Sequence, residues 1–299
     1  MLLEPECLGC LLNQIYHALI LLKPTISKDE IIEAQKKMME FMTNADVLKK
    51  PGPLIGKKAY QIIADTLNEK DPYKTLKMEY NNIAMKYYKK AKENIDNAED
   101  PLFEAIAIAA IGNTIDFGAP YYHKMDLLND LNNFTPDKFK INDIPEFRKS
   151  LENANKNSNK ILILLDNAGE IVFDKIFVEI LQNLYPTLEI ICAVRSKPII
   201  NDVTMEDAEY ISLTKVAKVI EASATPGIEL SIASDEFKSY FFDKEVSIIL
   251  SKGQGNFESL YGMEIPHKDV YYLLKAKCTL MERIFNAKVG DLIFKKKQP

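Results

Sequence analysis

Residues 160–170 read K-I-L-I-L-L-D-N-A-G-E, and this stretch decides the fold. Residues 161–165 form an unbroken apolar run, closed by Asp166 and Asn167 and then by the small pair Ala168-Gly169. A short run without polar alternation is the pattern of a strand covered on both faces, as in a parallel sheet. Asp166 and Asn167 then stand at the carboxyl end of that strand, the edge where open α/β sheets bind ligands. Their side chains offer hard oxygen donors and no soft one. That set suits Mg²⁺ or Mn²⁺ better than a structural zinc.

Downstream, strand and helix signals alternate. Residues 171–184 predict a helix, 188–194 a buried strand, 205–210 a short helix capped by Thr204, and 217–220 a third strand. A helix over 234–242, a strand over 246–250, and shorter strands over 270–274 and 292–295 around a helix at 278–285 complete the half. Such alternation gives a mostly parallel sheet with helices on both faces. Three strands end in polar loops: Arg195, Lys197, Asn201 and Asp202 after the second, Glu221 and residues 223–227 after the third, and S-K-G-Q-G-N-F-E at 251–258 after the fourth. Together they form one crevice. The glycines Gly253 and Gly255 would offer backbone N–H groups to a phosphate, and Lys252 would add charge.

The half before Lys160 reads as helical. Ser27 and Glu30 make a capping box, Pro51-Gly52-Pro53 breaks the chain, and helical spacing resumes over 55–67 and up to residue 91. Asp100-Pro101 starts an almost wholly apolar helix that ends G-N-T-I-D-F-G. Asn113 and Asp116 share one face of it if the helix reaches that far. Either they cap its end together with Gly118, or they form a wall of the site facing Asp166. No strand pattern precedes Lys160, and residues 126–157 read as short helices and a linker. The expected division is a helical domain over 1–155 and a Rossmann-like α/β domain over 156–299.

Cys7 and Cys10 form a C-x-x-C without a second close pair or a preceding strand. Two readings stand side by side: a second metal or redox pair, and a pair of packed or unoccupied thiols.

Among 299 residues, 47% are hydrophobic and 27% charged, the balance of a globular protein with roughly two domains. A net charge of −5 with dispersed basic residues argues against nucleic-acid binding. No unbroken apolar run approaches the ~20 residues that span a bilayer, so no membrane partner is expected. The first residues lack a basic n-region, and four cysteines do not make a disulfide scaffold; a reducing cytoplasm is the expected location. Residues 253–258 lack the third glycine of G-x-G-x-x-G, and D-N-A-G-E is not a Gly-rich turn, which disfavours a dinucleotide or S-adenosylmethionine site. Walker A, G-x-S-x-G and H-E-x-x-H sequences are missing, and no D-x-D follows the first strand.

L-D-N-A-G-E at 165–170, R-S-K-P-I-I-N-D-V-T-M-E-D-A at 195–208 and S-K-G-Q-G-N-F-E at 251–258 resemble the signatures of the damage-control phosphatases. The C-x-x-C and G-N-T-I-D-F-G at 112–118 resemble the branch with an N-terminal cysteine pair. The resemblance is collinear over nearly the whole chain. It implies a helical domain packed on a Rossmann-like three-layer domain, with a divalent cation (Mn²⁺, Mg²⁺, Co²⁺ or Ni²⁺) between them. Asp166, Asn167 and Asp202 would be its ligands. Lys252 would hold phosphate with help from Gly253, Gly255 and Asn256, while Asn113, Asp116, Glu170 and Arg195 would be further site residues. The implied substrates are small phosphorylated metabolites: sugar phosphates, phosphopantetheine-like compounds or damaged metabolites. A non-catalytic binding protein and a carboxyl methyltransferase are the competing readings. The sequence does not set the oligomeric state.

Overall fold

The computed structural model describes residues 1–44, 46, 49–50, 52–112 and 135–298. Among them are eleven α-helices and seven strands in one sheet. The helices are α1 (Pro5–Leu22), α2 (Lys28–Asn44), α3 (Gly52–Leu67), α4 (Lys74–Asp96), α5 (Pro101–Gly112), α6 (Ile144–Lys156), α7 (Glu170–Leu184), α8 (Met205–Tyr210), α9 (Asp235–Phe242), α10 (Gln254–Leu260) and α11 (Thr279–Phe285). The strands are β1 (Phe139–Asn142), β2 (Lys160–Leu164), β3 (Glu189–Val194), β4 (Lys218–Glu221), β5 (Val246–Lys252), β6 (Asp269–Lys275) and β7 (Leu292–Lys296).

The sheet order is β1-β7-β6-β5-β2-β3-β4. All neighbours are parallel except β6 and β7. From β2 the chain winds outward through β3 to β4, then returns to the other side of β2 with β5 and β6. The direction of winding therefore reverses between β2 and β5, and the carboxyl ends of these two strands border the crevice that such a reversal opens. Apolar residues fill both faces because helices cover both. Ile161, Ile163, Leu250 and Tyr271 face α4 to α8, while Leu162, Leu164, Ile249 and Tyr272 face α9 to α11.

Helix α5 is buried at every residue from Ala105 to Gly112, as its lack of a polar face requires. It packs on α7 so closely that a Cβ on Gly112 would stand 3.1 Å from Phe173. Helices α1, α2 and α3 instead build a separate small core around Ile15, Leu19, Met38, Ile55 and Ile63, into which Ile199 from the β3–α8 loop inserts. Helix α1 is long and apolar enough to cross a membrane by length and composition alone; here Leu11, Ile15, Ala18 and Leu19 are buried in that core.

One expectation fails. A strand does precede Lys160: β1 pairs with β7 and lays Phe139 on Phe294. Its four residues, F-K-I-N, are too few to stand out from the polar segment around them. The helix expected nearby is α6, which packs Phe147 and Leu151 under the sheet. Asn113 and Asp116 lie outside the described residues.

Candidate active site

Asp166 and Asn167 follow β2, and the β3–α8 loop returns to lie along them. Val203 N–H donates to Asp166 O and Ala168 N–H to Asn201 O, each at 2.9 Å, and Asn167 forms an antiparallel bridge with Asp202. This backbone zipper brings Asp202 beside Asp166 across 36 residues of sequence, since 202 − 166 = 36. Arg195, which is 1% exposed, extends between them. Its Nε donates to Asp202 Oδ2 at 2.6 Å and its Nη1 to Asn256 Oδ1 at 2.9 Å. Its Nη2 stands 3.7 Å from Asp166 Oδ1 and makes no hydrogen bond. Burial pushes the Asp166 carboxyl well above the ordinary range, reinforced by the charges of Asp202 and Glu170. Burial also raises Asp202, against the pull of Arg195.

The glycines have packing duties. Gly253 has φ +77°, and a Cβ there would lie 1.9 Å from Asp166 Oδ2, so only glycine lets the backbone pass the carboxylate. Its N–H is spent on Leu273 O at 2.9 Å, so it is not offered to a phosphate as the sequence suggested. Gly255 lies against the Pro226 backbone, where a Cβ would meet Pro226 O at 3.0 Å. Asn256 is fully buried, and its Nδ2 donates to Lys252 O at 2.8 Å and Leu165 O at 3.0 Å. It ties the ends of β2 and β5 together and holds Arg195.

Lys252 also departs from expectation. It is fully buried, and its Nζ donates to Glu170 Oε1 at 2.5 Å, to Asp174 Oδ1, and to Ala109 O at 3.3 Å. An ammonium has three protons. All three are directed at protein acceptors, so Lys252 ties β5 to α7 and α5 rather than facing the crevice. Glu170 and Asp174 are one helical turn apart on α7 and share a face. Burial lowers the Lys252 ammonium, but Asp174 and Glu170 together raise it above its ordinary value. Burial pushes Asp174 up to about 7, and Lys252 only partly offsets this.

A cavity of about 600 Å³ opens beside this constellation. Asn201, Gln254 and Gly255 line it, each a close sequence neighbour of Asp202 or Gly253, and α1, α3 and α4 wall it. Lys277, between β6 and α11, lines it too, and its charge acts to lower the proton affinity of both Asp166 and Asp202. Cys7 and Cys10 line the same cavity with Cys278. Burial raises the Cys7 and Cys10 thiols, so they are protonated at neutral pH. Among the described residues no group of three His, Cys, Asp or Glu side chains is arranged to hold a metal ion.

Asp166, Asn167 and Asp202 comprise two carboxylates and an amide, all hard oxygen donors. Two buried aspartates that one arginine leaves under-neutralised, with the Gly253 backbone shaped around one of them, fit a divalent cation. Four residues escaped the sequence reading. Asp174 is one turn beyond Glu170, a spacing that could have revealed it. Lys277 sits at a strand end, which is also a readable position. Lys77 and Asn81, one turn apart on α4, had no such mark. Lys77 Nζ reaches Asp207 Oδ2 at 3.1 Å, and Asn81 takes the Gly169 N–H at 2.7 Å while donating to Asp207 Oδ1 at 3.1 Å.

Known proteins are similar to this chain in sequence and fold. The pattern described as the damage-control phosphatase ARMT1-like domain matches residues 3–293. An uncharacterised protein of Methanocaldococcus jannaschii is 32% identical over 299 residues, covering 99% of this chain and 95% of that one. A damage-control phosphatase of Pyrococcus horikoshii is 31% identical over 300 residues, with 98% and 97% covered, and one of Archaeoglobus fulgidus is 27% identical, with 99% of each covered. The crystal structure of a DUF89 family protein from Pyrococcus horikoshii superposes with a TM-score of 0.83 at 27% identity, covering both chains fully. With its pattern matched over nearly its whole length and relatives similar from end to end, the chain belongs to the damage-control phosphatase ARMT1-like family.

Proposed function

We propose that the chain is a metal-dependent phosphatase acting on phosphomonoesters of small metabolites. The observation that carries this is the buried Asp166–Asp202 pair at the sheet's reversal point, opening beside a cavity that Lys277 lines. Asp166, Asn167 and Asp202 would hold a divalent cation such as Mg²⁺, Mn²⁺, Co²⁺ or Ni²⁺. When bound, it supplies Lewis acidity to a phosphoryl oxygen and lowers the pKa of a coordinated water. Arg195 keeps Asp202 in place through their 2.6 Å contact and carries Asn256 with it. Lys277 meets the phosphate from the cavity side and stabilises charge developing on its oxygens, a contact worth orders of magnitude in rate. Glu170 lies within electrostatic reach of Asp166 and is held, buried, by Lys252.

A methyltransferase is disfavoured by the β2–α7 turn. A Gly-rich turn would present its N–H groups to a cofactor, whereas Gly169 N–H is taken by Asn81 at 2.7 Å. The deciding experiment is phosphate release from a panel of phosphomonoesters with each of the four cations, with and without chelator. Release should require a cation and be lost in Asp166→Ala and Lys277→Ala proteins that remain folded. Cation binding without release from any compound would leave a binding protein in its place.

A further inference from the structure

We infer that the organic half of the substrate is an apolar arm, a hydrocarbon or aryl group, rather than a polyol. This rests on the phosphatase reading for the phosphate end and goes beyond it for the rest of the molecule. The cavity of about 600 Å³ is of the size that encloses a drug-sized molecule, well beyond the needs of a phosphate group. Its polar lining falls mainly in two places, apart from half-buried Gln14 of α1 and Glu258 of α10, the latter accepting from Gln254 at 2.8 Å. Glu6, Asn13 and His17 are exposed on α1, at the rim; Asn201 and Lys277 belong to the strand-end loops, at the phosphate end. Most of the remaining buried or half-buried lining is apolar: Leu11 and Ala18 from α1, Leu76 and Tyr80 from α4, and Leu280 from α11.

Cys7 and Cys278 are half-buried in that wall, and Cys10 lines the cavity from an exposed position. As protonated thiols, Cys7, Cys10 and Cys278 would be soft, weakly polar surface of the kind that packs against hydrocarbon; burial keeps the first two in that form. The C-x-x-C thereby acquires a place in substrate binding. Gln254 directs its amide nitrogen to Glu258 at 2.8 Å and to Cys278 at 3.5 Å, away from an incoming hydroxyl. A hexose chain would bring several hydroxyls against Leu11, Ala18, Leu76 and Leu280, and each unpaired hydroxyl would cost affinity. A methylene there gains instead.

The test is calorimetric binding of ethyl-, butyl- and hexylphosphonate to the full chain with Mg²⁺ present, beside a hexose phosphate. Phosphonates are not hydrolysed, so the series reads the cavity independently of turnover. Affinity should rise about fourfold per added methylene, in line with the free energy of burying one CH₂, and hexylphosphonate should bind more tightly than the hexose phosphate. Leu21→Gln, on an exposed lining residue that does not hold the fold, and Leu76→Gln should each weaken hexylphosphonate at least threefold more than ethylphosphonate. Affinity independent of chain length, tighter binding of the hexose phosphate, or a slope unchanged in both variants would overturn the inference. A flat series with phosphate release intact would overturn it alone. A rising series with no phosphate release from any ester would uphold it and overturn the phosphatase reading instead.

Discussion

Two buried clusters flank β2, each made of one cation and two carboxylates: Lys252 with Glu170 and Asp174, and Arg195 with Asp166 and Asp202. Their formal charge is the same and their geometry is not. Lys252 donates to both of its carboxylates and to a helix carbonyl. Arg195 donates to one carboxylate and one amide, and stands 3.7 Å from the other carboxylate with Nη2 unpartnered. The first cluster is closed around its cation, whose protons are all taken, and it joins three elements, although Asp174 Oδ2 is buried without a partner among the described residues. The second is open around its cation: among the same residues Arg195 Nη2 has no acceptor, Asp166 Oδ2 accepts only from Asn167 at 2.8 Å, and a cavity lies alongside. How fully the cation is spent on its neighbours, rather than charge count, separates the two networks.

The largest expected effect tests the open cluster. Asp166→Asn should reduce cation-dependent phosphate release by about 10³-fold or more, the scale of losing a main electrostatic contact in the transition state. The same change should stabilise the cation-free protein at neutral pH, by about 1–3 kcal/mol, because a neutral amide is spared the cost of keeping a buried carboxyl protonated when the unfolded chain would ionise it. Denaturant unfolding in chelator checks this. Destabilisation by Asp166→Asn would erase the distinction between the clusters. The closed cluster should respond with the opposite sign. Lys252→Met leaves Glu170 and Asp174 buried without their cation and should lower stability by about 3–5 kcal/mol; adding Asp174→Asn should restore part of that.

A third change sharpens the boundary between them. Gly253 follows Lys252 directly and touches Asp166, so it belongs to both surroundings. Gly253→Ala must place a Cβ 1.9 Å from Asp166 Oδ2 on a backbone with φ +77°. The strain should cost about 1–3 kcal/mol. Cation affinity, measured by titration, should fall with it if the displaced carboxylate is the ligand proposed above. Unchanged affinity would place the cation away from Asp166.

The sheet was legible in the sequence because buried parallel strands carry contiguous apolar runs, and residues 161–165 are one such run. β1 was hidden because an edge strand of four residues with only Phe139 and Ile141 facing inward has no run to show. Asp166, Asn167 and Asp202, the proposed ligands, lie in motifs that end strands, where position alone is informative, and the fold brings them side by side. The role of Lys252 was not legible: a lysine after a strand looks the same whether it turns toward the crevice or under it. That choice is made by Asp174 and Ala109, which tertiary packing alone brings to it. Likewise Asn81 closes the β2–α7 turn from 88 residues upstream, a pairing no local pattern encodes.

The smallest expected effect is also the most selective. In the cation-free protein Asp166, Asp202 and Asp174 all titrate above the ordinary carboxylate range, Asp174 at about 7. An acid whose folded pKa is raised keeps its proton in the folded state after the unfolded chain has released it near pH ~4. The unfolded state then binds fewer protons, so stability falls as pH rises from about 4 and levels off above the folded pKa. Each group contributes a slope of at most about 1.4 kcal/mol per pH unit. The Asp174 share should persist in any buffer, because its partner Lys252 is part of the chain. The Asp166 and Asp202 share should disappear when a saturating divalent cation is added, since ionised ligands then have a counter-charge in the folded state. Unfolding free energies measured from about pH 5 to 7 should therefore decline more steeply in chelator than in Mg²⁺ or Mn²⁺. Equal slopes would mean that the cation does not neutralise this pair, and the open cluster would need another occupant.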